Sequence, residues 1–125
     1  MTQRDQTTLR KAGVRTTDAL LKTASTRTGR RRLAKATGLA EGDILLWANR
    51  ADLMRVPGVG PEYADLLGMA GVDTIRALRR RNADRLLMAM ADLNVRKRLV
   101  RRLPTNGMVD DWVEGAKATE PLVTH

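Results

Sequence analysis

Residues 9–20 read LRKAGVRTTDAL and residues 67–78 read LGMAGVDTIRAL. Both follow L-x-x-A-G-V-x-T-x-x-A-L, at an offset of 58 positions. Seven fixed positions in register are hard to obtain by chance, so the chain reads as an internal repeat. Leu9 and Ala12, like Leu67 and Ala70, fall on one helical face. Gly13 and Gly71 stop their helices as a glycine at C′ does. Val14 and Val72 then plug a core, and Thr16 and Thr74 cap the next helix. Each copy reads helix, stop, plug, cap, helix. Trp47 and Trp112 extend the match at an offset of 65, so the second copy is seven residues longer between its Leu and its Trp.

Working outward, the spacing predicts helices over 4–12, 17–24, 28–37, 43–54, 61–70, 74–81, 83–92, 95–103 and 108–118. Gly38, Gly42, Gly71, Pro104 and Gly107 punctuate them. No stretch alternates well enough for a strand. The expected fold class is all-α: a compact bundle of short helices, in one domain over 1–118. The repeat copies span about 4–54 and 55–118, and 119–125 is expected to be a flexible tail.

Composition excludes several functions. The 125 residues contain no Cys, and the single His is the last residue. Thiolate sites, His clusters for metal and a positioned catalytic His are therefore not expected. Carboxylates are scattered, and the adjacent Asp110 and Asp111 point to different helix faces. There is no Ser/His/Asp set and no P-loop. The reading is a non-enzyme without metal or cofactor. No run approaches the roughly 20 apolar residues of a membrane span, and the polar N-terminus has no signal-peptide pattern. A cytoplasmic location is expected, with association with the nucleoid as an option, and no membrane partner. Charge points to a partner: 23 Lys and Arg face 14 Asp and Glu, giving +9. A strongly basic small protein suggests nucleic acid; the bland alternative is the solvated surface of an Arg-rich chain.

Ahead of the second copy stands RVPGVGPEYADLL, residues 55–67. Pro57 ends the preceding helix, and Gly58 and Gly60 permit unusual backbone angles. Pro61 suits the first position of a new helix. Amides at that helix start carry partial positive charge and suit a phosphate. The wider stretch LMRVPGVGPEYADLLGMAGVDTIRAL resembles the helix-hairpin-helix motif. The chain from Leu9 to Ala118 looks like a bacterial family of small proteins with tandem helix-hairpin-helix-like units. The resemblance implies sequence-independent contact with the DNA backbone through the amides of Gly58, Val59 and Gly60. One departure stands out: DNA-binding versions often carry Lys or Arg after the second glycine, where this chain has Glu62 and Asp65. Those carboxylates repel phosphate by about 1 kcal/mol at 4 Å in water, and Arg55 compensates in part. The other reading is a turn that only connects helices. Shifted by 58 positions, Gly60 falls on position 2 and Gly58 before position 1, so the first copy is expected to lack its hairpin.

Three basic clusters complete the candidate interface. Arg31 and Lys35 share a helical face with Arg27, beside Arg30 and Arg32. Arg79, Arg80 and Arg81 stand together near Arg85. Arg98 and Arg102 lie among Arg96, Lys97 and Arg101, with Val95, Leu99, Val100 and Leu103 marking the buried side. Each cluster alone more often reads as a solvated helix face; three within a small domain favour a phosphate-binding surface. Near-absence of aromatics disfavours base stacking. A rival helix-turn-helix reading offers Asn49 and Arg50 to bases. The functional expectation is a protein that binds duplex DNA without sequence preference. The alternative is a protein-interaction adaptor on a related helical core of the SAM-like kind, with a Leu/Met patch in LLMAMADL, residues 86–93.

Overall fold

The computed structural model describes residues 1–98 and 100–125. Among them lie eight helices and no strand: α1 (Gln3–Lys11), α2 (Thr17–Ala24), α3 (Arg27–Thr37), α4 (Glu41–Leu53), α5 (Pro61–Met69), α6 (Ile75–Arg79), α7 (Ala83–Lys97) and α8 (Asn106–Ala118). The protein is all-α.

The two similar segments fold through the same bonds. Gly13 and Gly71 have φ of 89° and 88°, a conformation that costs other residues more. Val14 N–H donates to the Leu9 carbonyl at 2.8 Å, and Val72 N–H to Leu67 at 2.9 Å. Both are Schellman closures that satisfy a carbonyl left over at the helix end. Thr16 then accepts from Ala19 N–H, and Thr74 from Ala77 N–H, each at 3.0 Å. Such caps contribute about 1 kcal/mol each. The match reaches back to the helix starts, where α1 and α5 are nine residues each and have Thr2 and Gly60 as N-caps, again 58 apart.

Where the sequence predicts one domain, the chain divides into two compact units. Unit 1 comprises Met1–Asp52 with Leu122–His125, and unit 2 comprises Leu53–Pro121. In unit 1, α2 packs on α3, and the core gathers Leu9, Leu20, Leu21, Leu33, Ile44 and Trp47. In unit 2, α8 packs on α6 and α7, and α5 on α7. Its core gathers Leu53, Leu66, Leu67, Leu78, Leu86 and Trp112. Burying one such side chain stabilises by roughly 1.5–3 kcal/mol, so each unit has its own source of stability.

Two expectations are corrected. First, helices over 83–92 and 95–103 are replaced by the single α7, which ends at Arg98 in the left-handed region at φ 48°. There the Asn94 carbonyl accepts Arg98 N–H at 2.8 Å, and its side chain accepts Val100 N–H at 3.0 Å. A side chain that captures the backbone competes with helix continuation. Val95, expected to be buried, is 79% exposed; Leu99 lies outside the described residues. Second, the end of the expected tail is held in unit 1. Val123 is buried in its core, and the Asp52 carboxylate accepts the N–H groups of Leu122 and Val123 at 3.0 and 3.1 Å.

Candidate nucleic-acid interface

The glycine turn over 54–60 lies on α8. A Cβ added to Gly58 would stand 3.0 Å from Trp112 Nε1, and Gly58 has φ of 88°. Both facts require glycine for reasons inside unit 2, not for the approach of DNA. A Cβ on Gly115 of α8 would meet Val56 Cγ1 at 3.2 Å, so that glycine lets turn and helix close up. Val59 is buried, and its N–H donates to the Val56 carbonyl at 3.1 Å. Neither its side chain nor its amide is offered outward. Gly60 differs. It has extended backbone at φ −88° and ψ 179°, and a Cβ there would meet nothing within 4 Å.

Gly60 is also the N-cap of α5, without a side-chain hydrogen bond. By contrast, α1, α2, α3, α6, α7 and α8 are capped by the side chains of Thr2, Thr16, Thr26, Thr74, Asn82 and Thr105. The start of α5 therefore keeps first-turn amides that no capping side chain satisfies. Glu62 stands in that first turn, where its charge favours the dipole and opposes an anion. Arg55 lends its Nη1 to the Glu120 carbonyl at 2.9 Å.

Tyr63 adds a connection absent from the motif. Its ring lies 5.0 Å from that of Trp112, and its hydroxyl donates to the Arg102 carbonyl at 3.1 Å. Two turns of sequence are thus joined: the backbone of Arg102 is one tyrosine away from the start of α5. Arg101 and Arg102 are exposed.

The remaining candidates divide into surface cations and structural ones. Arg79 is structural: Nε donates to the Ala116 carbonyl at 3.1 Å and Nη2 to Thr119 at 2.8 Å. It closes the C-terminal end of α8, where a cation is favoured. Arg80 is exposed and Arg81 half-buried. Arg79–Arg81 precede α7 and Arg98 ends it, so these clusters are separated by the length of α7, about 22 Å for a helix of that size. The structure does not bring them together. In unit 1, Arg31 and Lys35 are exposed on α3, with Arg31 Nε 3.7 Å from Glu41. Arg30, in the same run, is buried. Burial lowers its pKa from the usual arginine value, the like charge of Arg27 lowers it further, and Glu41 opposes both.

The helix-turn-helix alternative is corrected. Asn49 is only 8% exposed, and its Oδ1 meets His125 Nε2 at 3.2 Å. A buried, paired amide cannot read a base edge. Of the residues 86–93, Leu86 and Met90 are core, while Met88 is 72% exposed.

One cation group escapes a reading that uses 10–15 only for its caps. Arg10, Lys11 and Arg15 are exposed around one hollow with Thr7. Three cations in six positions were the available signal. Unit 1 carries eleven Lys and Arg against five Asp and Glu, and unit 2 twelve against nine, so their net charges are +6 and +3. The excess is concentrated in the unit without the glycine turn. Among the described residues, no three Asp, Glu or His side chains group closely enough to hold a metal ion, and no helix is long and apolar enough to cross a membrane.

Fold and surface together define an all-helical, basic, two-unit protein. The chain belongs to the family described as Domain of unknown function (DUF4332), whose model matches residues 1–119. Nothing among the curated proteins or the solved structures matches the chain.

Proposed function

We propose that this protein binds nucleic acid, duplex DNA by preference, through the phosphate backbone and without reading sequence, and that it does so without catalysing a reaction. The helix-hairpin-helix resemblance of residues 53–78 motivates the reading. The observation that carries it is the Tyr63–Arg102 hydrogen bond. It ties the backbone of an exposed Arg101–Arg102 segment to Tyr63 in the first turn of an α5 whose N-cap offers no side chain, and cations on that segment would offset the charge of Glu62 and Asp65. Backbone amides fix register, and surrounding cations supply most of a non-specific affinity.

A salt titration with a short duplex tests the reading. Affinity should fall linearly in log–log form as salt rises, with a slope near −0.9 per phosphate engaged. No binding at low salt, or a flat slope, overturns it. Tyr63→Phe tests the site itself: the ring stays against Trp112 and the tie to Arg102 is lost. DNA affinity should drop several-fold with stability nearly kept; unchanged affinity moves the contact elsewhere.

A protein-binding adaptor is the second reading, and one observation favours it. Met88 and Val95 stand seven apart on α7, 72% and 79% exposed, on one helical stripe. Met88→Lys with Val95→Lys would separate the two readings, because added cations on a DNA binder do not weaken DNA affinity.

A further inference from the structure

Unit 1 contains a hollow formed by α1, the turn over 12–16 and the start of α2. We infer that it binds a small organic anion: an apolar group about the size of a phenyl ring or a six-carbon chain, bearing a carboxylate or a phosphate. This is independent of the nucleic-acid reading.

The floor is aliphatic, made by Leu9, Val14 and Leu20, and Arg10 and Arg15 stand at the rim. Its volume is about 180 Å³. An apolar cavity of about 150 Å³ suffices for benzene, so one small apolar group fits, and a drug-sized molecule does not.

Comparison with unit 2 shows what opens the hollow. Residues 58 positions on from the floor are Leu67, Val72 and Leu78, all fully buried. Around them, Val59, Ala64 and Ile75 complete a closed apolar core. The corresponding positions in unit 1 are Met1, Gln6 and Thr17, all exposed. Likewise Gly68 and Asp73 give way to Arg10 and Arg15. The same helix–stop–cap backbone is thus sealed in one unit and left open in the other, with cations at the opening.

The cations set the ligand's sign. Arg10, Lys11 and Arg15 have no ion-pair partner among the described residues. A second hollow of about 450 Å³, lined by Thr7, Arg10, Lys11 and Arg15, adjoins the first through the two arginines. No carboxylate lines either one. An anionic head held by arginine gains charge-assisted hydrogen bonds, while an apolar tail removes the floor from water. A bare phosphate gains nothing from that floor, and a neutral apolar molecule gains nothing from the rim.

The test uses the intact chain, four probes and methyl NMR with calorimetry: hexanoate, hexyl phosphate, inorganic phosphate and 1-hexanol. At least one of the first two should shift the methyl signals of Leu9, Val14 and Leu20, and bind about tenfold or more tighter than both controls, a difference of about 1.4 kcal/mol. The tighter of the two names the head group. Arg10→Gln with Arg15→Gln should abolish that advantage while leaving 1-hexanol unchanged. These residues are exposed, so the variant keeps its fold, checked by its unit 2 methyl spectrum. Inorganic phosphate or 1-hexanol binding as tightly as the tighter of the two amphiphilic anions, or floor methyls unmoved by both of them, would overturn the inference. DNA affinity is not among these readouts, so failure here leaves the nucleic-acid reading where it stood.

Discussion

Arg30 Nη2 donates to the carbonyl of Thr124 at 2.7 Å, ninety-four positions along the chain. Nη1 of the same guanidinium donates to Ala24 and Ser25 at 3.0 and 3.1 Å. One buried cation thus binds the end of α2 to the final residues, and Thr124 N–H returns a bond to Ser25 at 2.8 Å. In an arginine-rich run, the residue most like its neighbours in sequence is the one withdrawn from the surface.

Arg30→Ala should therefore cost stability and leave nucleic-acid affinity little changed once folding is corrected for. It takes the guanidinium from the carbonyls of Ala24, Ser25 and Thr124, of which Ser25 keeps its bond from Thr124 N–H, and it leaves a buried cavity, a loss of about 2–4 kcal/mol. Arg30→Lys should recover only part of it, because an ammonium lacks the planar fork that reaches three acceptors. Urea unfolding decides; a loss under about 0.5 kcal/mol, the range of ordinary surface changes, would mean that the bonds contribute little.

The two glycines of the turn should behave oppositely. Gly58→Ala meets both a positive φ and Trp112, and should destabilise by about 1–3 kcal/mol. Gly60→Ala meets neither and should stay within about 0.5 kcal/mol of the parent. If DNA passes over this turn, Gly60→Val nonetheless lowers DNA affinity in a protein that remains folded. A well-folded Gly60→Val protein of full affinity would take the turn out of the interface.

Arg79, Arg80 and Arg81 should not act as one cluster. Arg79→Ala opens the end of α8 and should lower the thermal midpoint by several degrees, as a loss of about 1–2 kcal/mol does in a small protein. Arg80→Ala with Arg81→Ala should leave that midpoint in place and reduce the salt slope of DNA binding by about one per lost phosphate contact. Equal effects of the single and double variants on the midpoint would contradict the assignment.

Thr16→Ala and Thr74→Ala should each destabilise by about 1 kcal/mol. The two caps are equal in length and geometry, so a large inequality would mean that the paired segments are alike in form but not in energetics. Hydrogen exchange at Ala19 and Ala77 reads each cap separately.

Local chemistry was the legible part of this molecule. The stops at Gly13 and Gly71 and the caps at Thr16 and Thr74 depend on residues a few positions apart, which the sequence displays directly. Side-chain fates decided over long separations were not. Nothing near Arg30 announces a partner at Thr124, nothing near Arg79 announces the end of α8, and Tyr63 gives no sign of Arg102. The predicted pair of helices over 83–92 and 95–103 failed for a mixed reason: periodicity continued, while Asn94 captured the backbone after Lys97. Net charge was legible as a total, but its uneven division between the units depended on where the fold divides the chain, between Asp52 and Leu53.

That return has a consequence for synthesis. Asp52 closes on Leu122 and Val123 only after all 69 intervening residues have been made. Chains fold as they emerge from the ribosome, and each compact piece settles once its own residues are complete. Unit 2 has its whole complement by Pro121, whereas unit 1 still lacks Val123 and the Thr124 acceptor of Arg30. The unit that is translated first is therefore finished last. A released chain cut just short of Leu122 would keep a settled second unit and a first one with an unsealed core.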